Sequence, residues 1–381
     1  MEKKKTSSVW VGIAATWFGM HCGSGFATGT QYVIYYNKYD RMAMFLPLIT
    51  WALMGACFYF IFEYGRRTQI KNYSDYARSV FIPKIGWLFV LLFDLWCVFG
   101  QILGEAGILA GSGSLFRNYA GGSEAAYWIG VVVVAAVVLG MVIFGSNFMA
   151  KISTYFMYGL IAIITILGVF GLIANWDNFC TVMKTPVLDS ANGITLWAAI
   201  KSAFTYAGVQ VSSFMALSGM MAGLPSKKDS GKAAVGGALI NCVMLMILGL
   251  VMIANYPAIN GETLPVYTAL DQLGVPVLKH LYSLMLLMAL ITTGAGCAFA
   301  IVTRFKQYPM KWFGWSEKVA SIVIGIVLLA IGIGASKFGL VAIFSKGYGY
   351  LAKMAWPLGI LPALLIVPFR LRQLDKAEAK K

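Results

Sequence analysis

Charge is what this chain has least of. Only 12% of its 381 residues are Asp, Glu, Lys or Arg, against 59% hydrophobic, and just two are histidine. That shortage excludes a soluble fold, which needs far more polar surface to cover so much apolar side chain. Its six cysteines are scattered, with only Cys180 in an expected outer loop and no CxxC or Cys/His cluster. A disulfide framework and a zinc site are therefore not expected. No hydrophilic block is long enough for a separate soluble domain. No catalytic triad, metal cluster or phosphate loop is legible, and His21 and Cys22 adjoin without a third partner. The chain does not read as an enzyme, and no cofactor is expected.

The apolar residues come in blocks, each near the length of about 20 helical residues that crosses a hydrocarbon core of about 30 Å. Lipid cannot satisfy open backbone groups, so the spanning elements should be helices. Ten are expected, at approximately 9–38, 41–65, 85–112, 126–147, 150–174, 194–222, 232–256, 276–305, 317–335 and 347–369. The first block follows "MEKKK" with no small-residue cleavage site, so it reads as a retained helix. Both termini are expected in the cytoplasm. That orientation puts 21 Lys/Arg on inner segments and seven on outer ones, with Lys201 and Lys353 inside spans. The net charge of +15 is thus a topology signal, and no nucleic-acid partner is expected.

Two spans are interrupted. The first carries "FGMHCGSGFATGT" at 18–30, with four glycines, a histidine and several hydroxyls; the sixth is polar around Thr205–Ser213. Gly23, Gly25 and Gly29 should relax the first helix, and Ser24, Thr28 and Thr30 should cap a second half. The interruptions fall at positions one and six of ten, in segments entering from opposite sides. This is the pattern of a transporter built from inverted repeats. The expected division is a first repeat over residues 1–175 and a second over 176–381, within a single transmembrane domain. "LPVYTALDQLG" is expected to form a short helix over the outer mouth.

"GSGFATGTQ" at Gly23–Gln31 resembles the first-helix signature of the YkvI-like bacterial membrane proteins, in which a GAGFASGQE-type string is usual. Thr30 and Gln31 stand here where that family has Gln-Glu. The family is related to the amino acid–polyamine–organocation superfamily. The resemblance implies a leucine-transporter fold of five plus five helices with discontinuous helices one and six, in a bacterial inner membrane. It also implies a sodium site between helices one and eight. Carbonyls of Gly19, Cys22 and Ala289 and hydroxyls of Thr292 and Thr293 would form it. Five neutral oxygens suit a weakly held hard cation.

Span three carries Asp94, Gln101 and Glu105 within an arc of about 40°, at about 100° per residue. A carboxylate there should face the interior or a water-filled path. Gly100, Gly104, Gly107 and Gly111 mark another face suited to tight packing. Glu105 and His21 are candidates for a substrate amine or a coupling proton. Phe26 and Tyr206 are candidates to sandwich a solute beside the breaks. Together with Gly23, Ser24, Gly25, Gln101, Thr205 and Gln210 they form the expected binding set. The reading is a cation-coupled symporter, driven by Na+ or H+, for a small amine-bearing solute such as an amino acid. A channel is the competing reading. The expected partners are the solute and the lipid bilayer, with no obligate protein partner.

Overall fold

The computed structural model describes residues 9–144, 146–185 and 193–380. They form an all-α bundle. Among the described residues, seven helices are long and apolar enough to cross a membrane: α4 (Leu46–Thr68), α6 (Gly86–Tyr119), α7 (Glu124–Phe144), α12 (Lys227–Ala254), α14 (Pro276–Phe305), α16 (Glu317–Ser336) and α17 (Leu340–Glu378). An eighth candidate lies in α8 (Ser146–Ala174), bent by 82° against α9 (Trp176–Lys184). The expected spans one and six are missing from that set because both come in pieces. Span one is α1 (Val9–His21), α2 (Ser24–Ala27) and α3 (Thr30–Tyr35). Span six is α10 (Leu196–Gln210) and α11 (Phe214–Leu217), joined and followed by 3-10 turns.

Three short helices complete the order: α5 (Tyr73–Val80), α13 (Pro265–Gln272) and α15 (Gln307–Phe313). α5 links α4 to α6, and α13 links α12 to α14. They mark opposite faces of the molecule. α13 leads into the first turn of α14, whereas α5 is tied to the last turn of α14 through Asp94. With about 1.5 Å of rise per residue, a helix of this length separates the two faces by roughly 45 Å.

Local chemistry explains the starts and bends. Side chains of Asn72, Thr195, Ser226 and Ser316 accept from backbone N–H groups in the first turns of α5, α10, α12 and α16. In α17, Pro357 and Pro362 fall inside wide π-turns at Trp356–Ile360 and Pro362–Ile366. Their missing N–H groups remove ordinary ladder bonds there. Trp17 anchors span one, stacking on Phe58 of α4 at 4.1 Å and filling space left by Gly237 of α12. The expected glycine face of α6 does admit close neighbours. A Cβ on Gly107 would come within 3.1 Å of Phe344 and 3.3 Å of the Ser24 hydroxyl, and one on Gly111 within 3.3 Å of Leu290.

Candidate functional site

Span one breaks where its glycines and hydroxyls cluster. Regular helix ends with Cys22 N–H donating to Phe18 O at 2.9 Å, and Gly23 then turns extended, at φ −68° and ψ −169°. A second break follows at Gly29, whose φ of 81° lies in the left-handed region that glycine tolerates. The expected hydroxyl caps form only in part: the N-caps of α2 and α3 are Gly23 and Gly29 themselves, but Thr28 Oγ1 accepts from Thr30 N–H, the first of α3, at 3.3 Å. The hydroxyls also bond elsewhere. Thr28 Oγ1 donates to Ser24 O at 2.7 Å and meets Thr30 Oγ1 at 2.8 Å, and Thr30 Oγ1 bonds Thr263 O at 2.9 Å.

Span six behaves differently from expectation. It does not open into extended backbone; it tightens into 3-10 turns at Val211–Ser213 and Ser218–Gly223 with right-handed dihedrals throughout. Serine chemistry accompanies the tightening. The hydroxyls of Ser212 and Ser213 donate to the carbonyls three residues back, at 2.8 and 2.7 Å. The peptide groups near Gln210–Ser212 are therefore engaged within their own chain.

A buried polar chain joins the two interrupted spans. The Tyr206 phenol donates to Gln31 Oε1 at 3.1 Å and lies 2.8 Å from His21 Nε2, while Gln210 Nε2 donates to the same Gln31 oxygen at 3.4 Å. A phenol has one proton, so with it given to Gln31 the His21 Nε2–H donates to the phenol oxygen. His21 is clamped between Phe26 and Trp51, each ring centre 4.7 Å away. Gln31 folds back over Gly25, where a Cβ would overlap its amide.

Beneath this plug lies a cavity of about 1820 Å³ that opens on the α5 face. Its head is walled by Gly19, Met20 and Cys22 of span one, Gln101 of α6, Ser212 and Met215 of span six, and Ala289, Thr292 and Thr293 of α14. Thus Gly19, Cys22, Ala289, Thr292 and Thr293, the residues expected to hold sodium, share one wall. A Cβ on Gly23 would stand 3.1 Å from Thr293 Cγ2, which shows how closely the break meets α14. The Thr292 hydroxyl donates to carbonyls of its own helix, Met288 O at 3.0 Å and Ala289 O at 3.1 Å. Its lone pairs stay available to a cation. The donor set is all neutral oxygen, and it fits a monovalent hard cation.

The α13 face is shut over the same break. Val266 N–H donates to Thr28 O at 3.1 Å, Tyr282 OH to Ala27 O at 2.6 Å, and Asn37 Nδ2 to Asn260 Oδ1 at 2.9 Å. The short helix expected from "LPVYTALDQLG" is α13, seated over the end of α2.

Of the expected binding set, His21, Gly25, Phe26, Tyr206 and Gln210 gather in the plug, Gln101 lines the cavity, and Gly23 and Ser24 sit between. Two members lie apart. Glu105 is fully buried one turn beyond Gln101 and outside the cavity lining, against Gly294 of α14 and Gly332 of α16, and neither carboxyl oxygen forms a hydrogen bond among the described residues. Thr205 bonds Lys201 O at 2.8 Å and faces an external groove, since one residue of helix turns it about 100° from Tyr206. Asp94 is held by Arg304 of α14, at 2.8 Å to Nε and 2.6 Å to the terminal nitrogen, and by the Tyr73 phenol at 2.6 Å. Burial, with help from the Asp94 carboxylate, pushes the Tyr73 phenol well above its usual range and keeps it a donor. Gln31, Arg304 and Tyr73 were not legible as site residues. The departure of Gln31 from the first-helix string was the one available signal.

No protein-family model matches the chain, and no curated protein matches it in sequence. Solved structures do. MhsT in complex with L-phenylalanine shares 18% identity over 94% of this chain and 96% of its own, with a TM-score of 0.64. A Na+-coupled sialic acid symporter in a substrate-bound outward-open state shares 13% over 94% and 79%, at 0.66. Mhp1, a nucleobase-cation-symport-1 family transporter closed around bromovinylhydantoin, shares 14% over 96% and 92%, at 0.59. The chain has the fold these transporters share.

Proposed function

We propose that the protein is a secondary active transporter of a small amine-bearing solute, working by alternating access. The observation that carries this is the one-sided cavity: it reaches a broken helix at mid-depth from the α5 face, while α13 seals the same break from the other. A channel would need a path open at both ends. The three solved neighbours support the reading, being transporters, two of them cation-coupled by their own descriptions.

The α5 face is cytoplasmic in this proposal, in keeping with its excess of Lys and Arg. The interruptions and the paired positions of α5 and α13 support two inverted repeats, 1–175 and 176–381. The first-helix string supports a YkvI-like relationship. A solute would lodge at the cavity head, its ammonium facing the Gln101 amide oxygen. Sodium would sit between the carbonyls of Gly19 and Cys22 and Ala289, Thr292 and Thr293. Each of these groups offers lone pairs, so cation and ammonium can be held without a carboxylate. His21 and Tyr206 form the floor of the closed half, and opening toward α13 requires the bonds of Tyr206 and Gln210 to Gln31 to part.

Thermal unfolding of the purified protein against a panel of amino acids and amines, with and without sodium, tests the proposal. A ligand at 100 times its Kd should raise stability by about 2.7 kcal/mol. Thr293→Ala should weaken the sodium effect about tenfold or more while leaving the sodium-free transition in place. A panel in which no solute stabilises the protein in any salt contradicts it.

A further inference from the structure

A second, smaller groove of about 660 Å³ lies on the outside of the bundle between α10 and α17. Lys201, Lys346 and Lys353 line it, together with Trp197, Tyr350 and Trp356. No acidic residue contributes to its wall, and none of the three lysines forms an ion pair among the described residues. Trp197 and Tyr350 are 69% and 60% exposed, and Lys353 Nζ rests 4.8 Å from the Tyr350 ring centre. Lys201 and Lys346 each lie in the second turn from the start of their helix. Both helix starts are tied to the region around Tyr35 and Tyr39 beside the α13 face, by Tyr39 OH to Ala198 O and Tyr35 OH to Phe344 O. Tryptophan, tyrosine and lysine together at a helix start mark headgroup depth.

Three unpaired cations on a membrane-facing wall are costly unless an anion meets them. The wall also carries a local distortion. The π-turn at Ile343–Gly347 shifts the ladder and turns Ser345 and Lys346 onto the side of Lys353. Inside the groove α10 and α17 touch closely, a Cβ on Gly208 standing 3.0 Å from Ala352. We infer that this groove binds the phosphate headgroup of an anionic phospholipid from the leaflet on the α13 side. Lys201 and Lys346 take the phosphodiester, with Trp197 beside them at the helix start; Lys353, two turns deeper, reaches up toward the phosphodiester, and Trp356 flanks the glycerol and upper acyl chain. The bound lipid bridges α10, which carries Tyr206 of the central plug, to α17. The inference does not depend on the identity of the solute.

Titration of the purified full-length protein with phosphatidylglycerol, phosphatidylcholine and free glycerol phosphate, read by native mass spectrometry, tests it. Phosphatidylglycerol should bind at least about tenfold tighter than phosphatidylcholine, and glycerol phosphate should not compete, because the acyl chain is part of the fit. At about 1 kcal/mol per lysine, the triple variant K201Q/K346Q/K353Q should lose about 100-fold in phosphatidylglycerol affinity. Lys318→Gln, outside the groove, should lose nothing. All three lysines are exposed, so the triple variant should keep the unfolding temperature of the lipid-free protein. Equal binding of the two lipids, or a triple variant that binds phosphatidylglycerol normally, overturns the inference. Competition by free glycerol phosphate would overturn the lipid assignment and leave a soluble phosphate as the ligand.

Discussion

Gly25 has no side chain, and the Gln31 amide occupies the space where one would be. Gly25→Ala should therefore cost about 1–3 kcal/mol by overpacking, and Gln31→Ala in the same chain should restore most of that loss. Thermal unfolding of the two single variants and the double checks it; additive losses contradict the contact. Glu105 makes the opposite case. Its carboxyl group has no cation beside it and no hydrogen bond among the described residues, so Glu105→Gln should change stability by less than about 1 kcal/mol. A loss of about 3–5 kcal/mol would reveal a charged partner. The sequence placed Glu105 rightly in the interior but could not say against which helices, because a helical arc gives direction on one element only. The same limit applies at Thr205 and Tyr206, where adjacent residues serve an external groove and the central plug.

At the scale of elements, the broken first span was the most legible feature, since glycine and hydroxyl density is a local property. Its detail was not. Of the hydroxyls that could cap a half-helix, only Thr28 meets a first-turn N–H, and they also bond to each other and to the α12–α13 loop, a contact that spans more than 230 residues of sequence for Thr30 and Thr263. Asp94 and Arg304, 210 residues apart, were equally unreadable as a pair. They fasten α6 to α14 at the cavity rim, with Tyr73 adding α5. Both side chains are mostly buried, at 16% and 21% exposure. Arg304→Gln should thus destabilise by about 1–3 kcal/mol after allowance for solvent screening. Asp94→Asn in the same chain should recover part of that loss, and a double-mutant cycle in thermal unfolding measures it. A coupling energy near zero would assign Asp94 another role.

For the whole molecule, hydropathy and the placing of Lys and Arg were sufficient to read an all-α membrane bundle, because both depend on composition over long windows. Which face is open is a property of tertiary contacts and left no trace in the sequence. Alternating access rests on that asymmetry: a mid-depth site reached from one face at a time. The most direct measurement is labelling of Ser212→Cys by a membrane-impermeant thiol reagent, added to either face of reconstituted vesicles, with Cys22, Cys97 and Cys297 of the cavity wall and the partly exposed Cys180 of α9 replaced. The expected result is rapid labelling from the α5 face and none from the α13 face, reversed or suppressed by a stabilising solute. Simultaneous labelling from both faces would show a continuous pore and contradict alternating access.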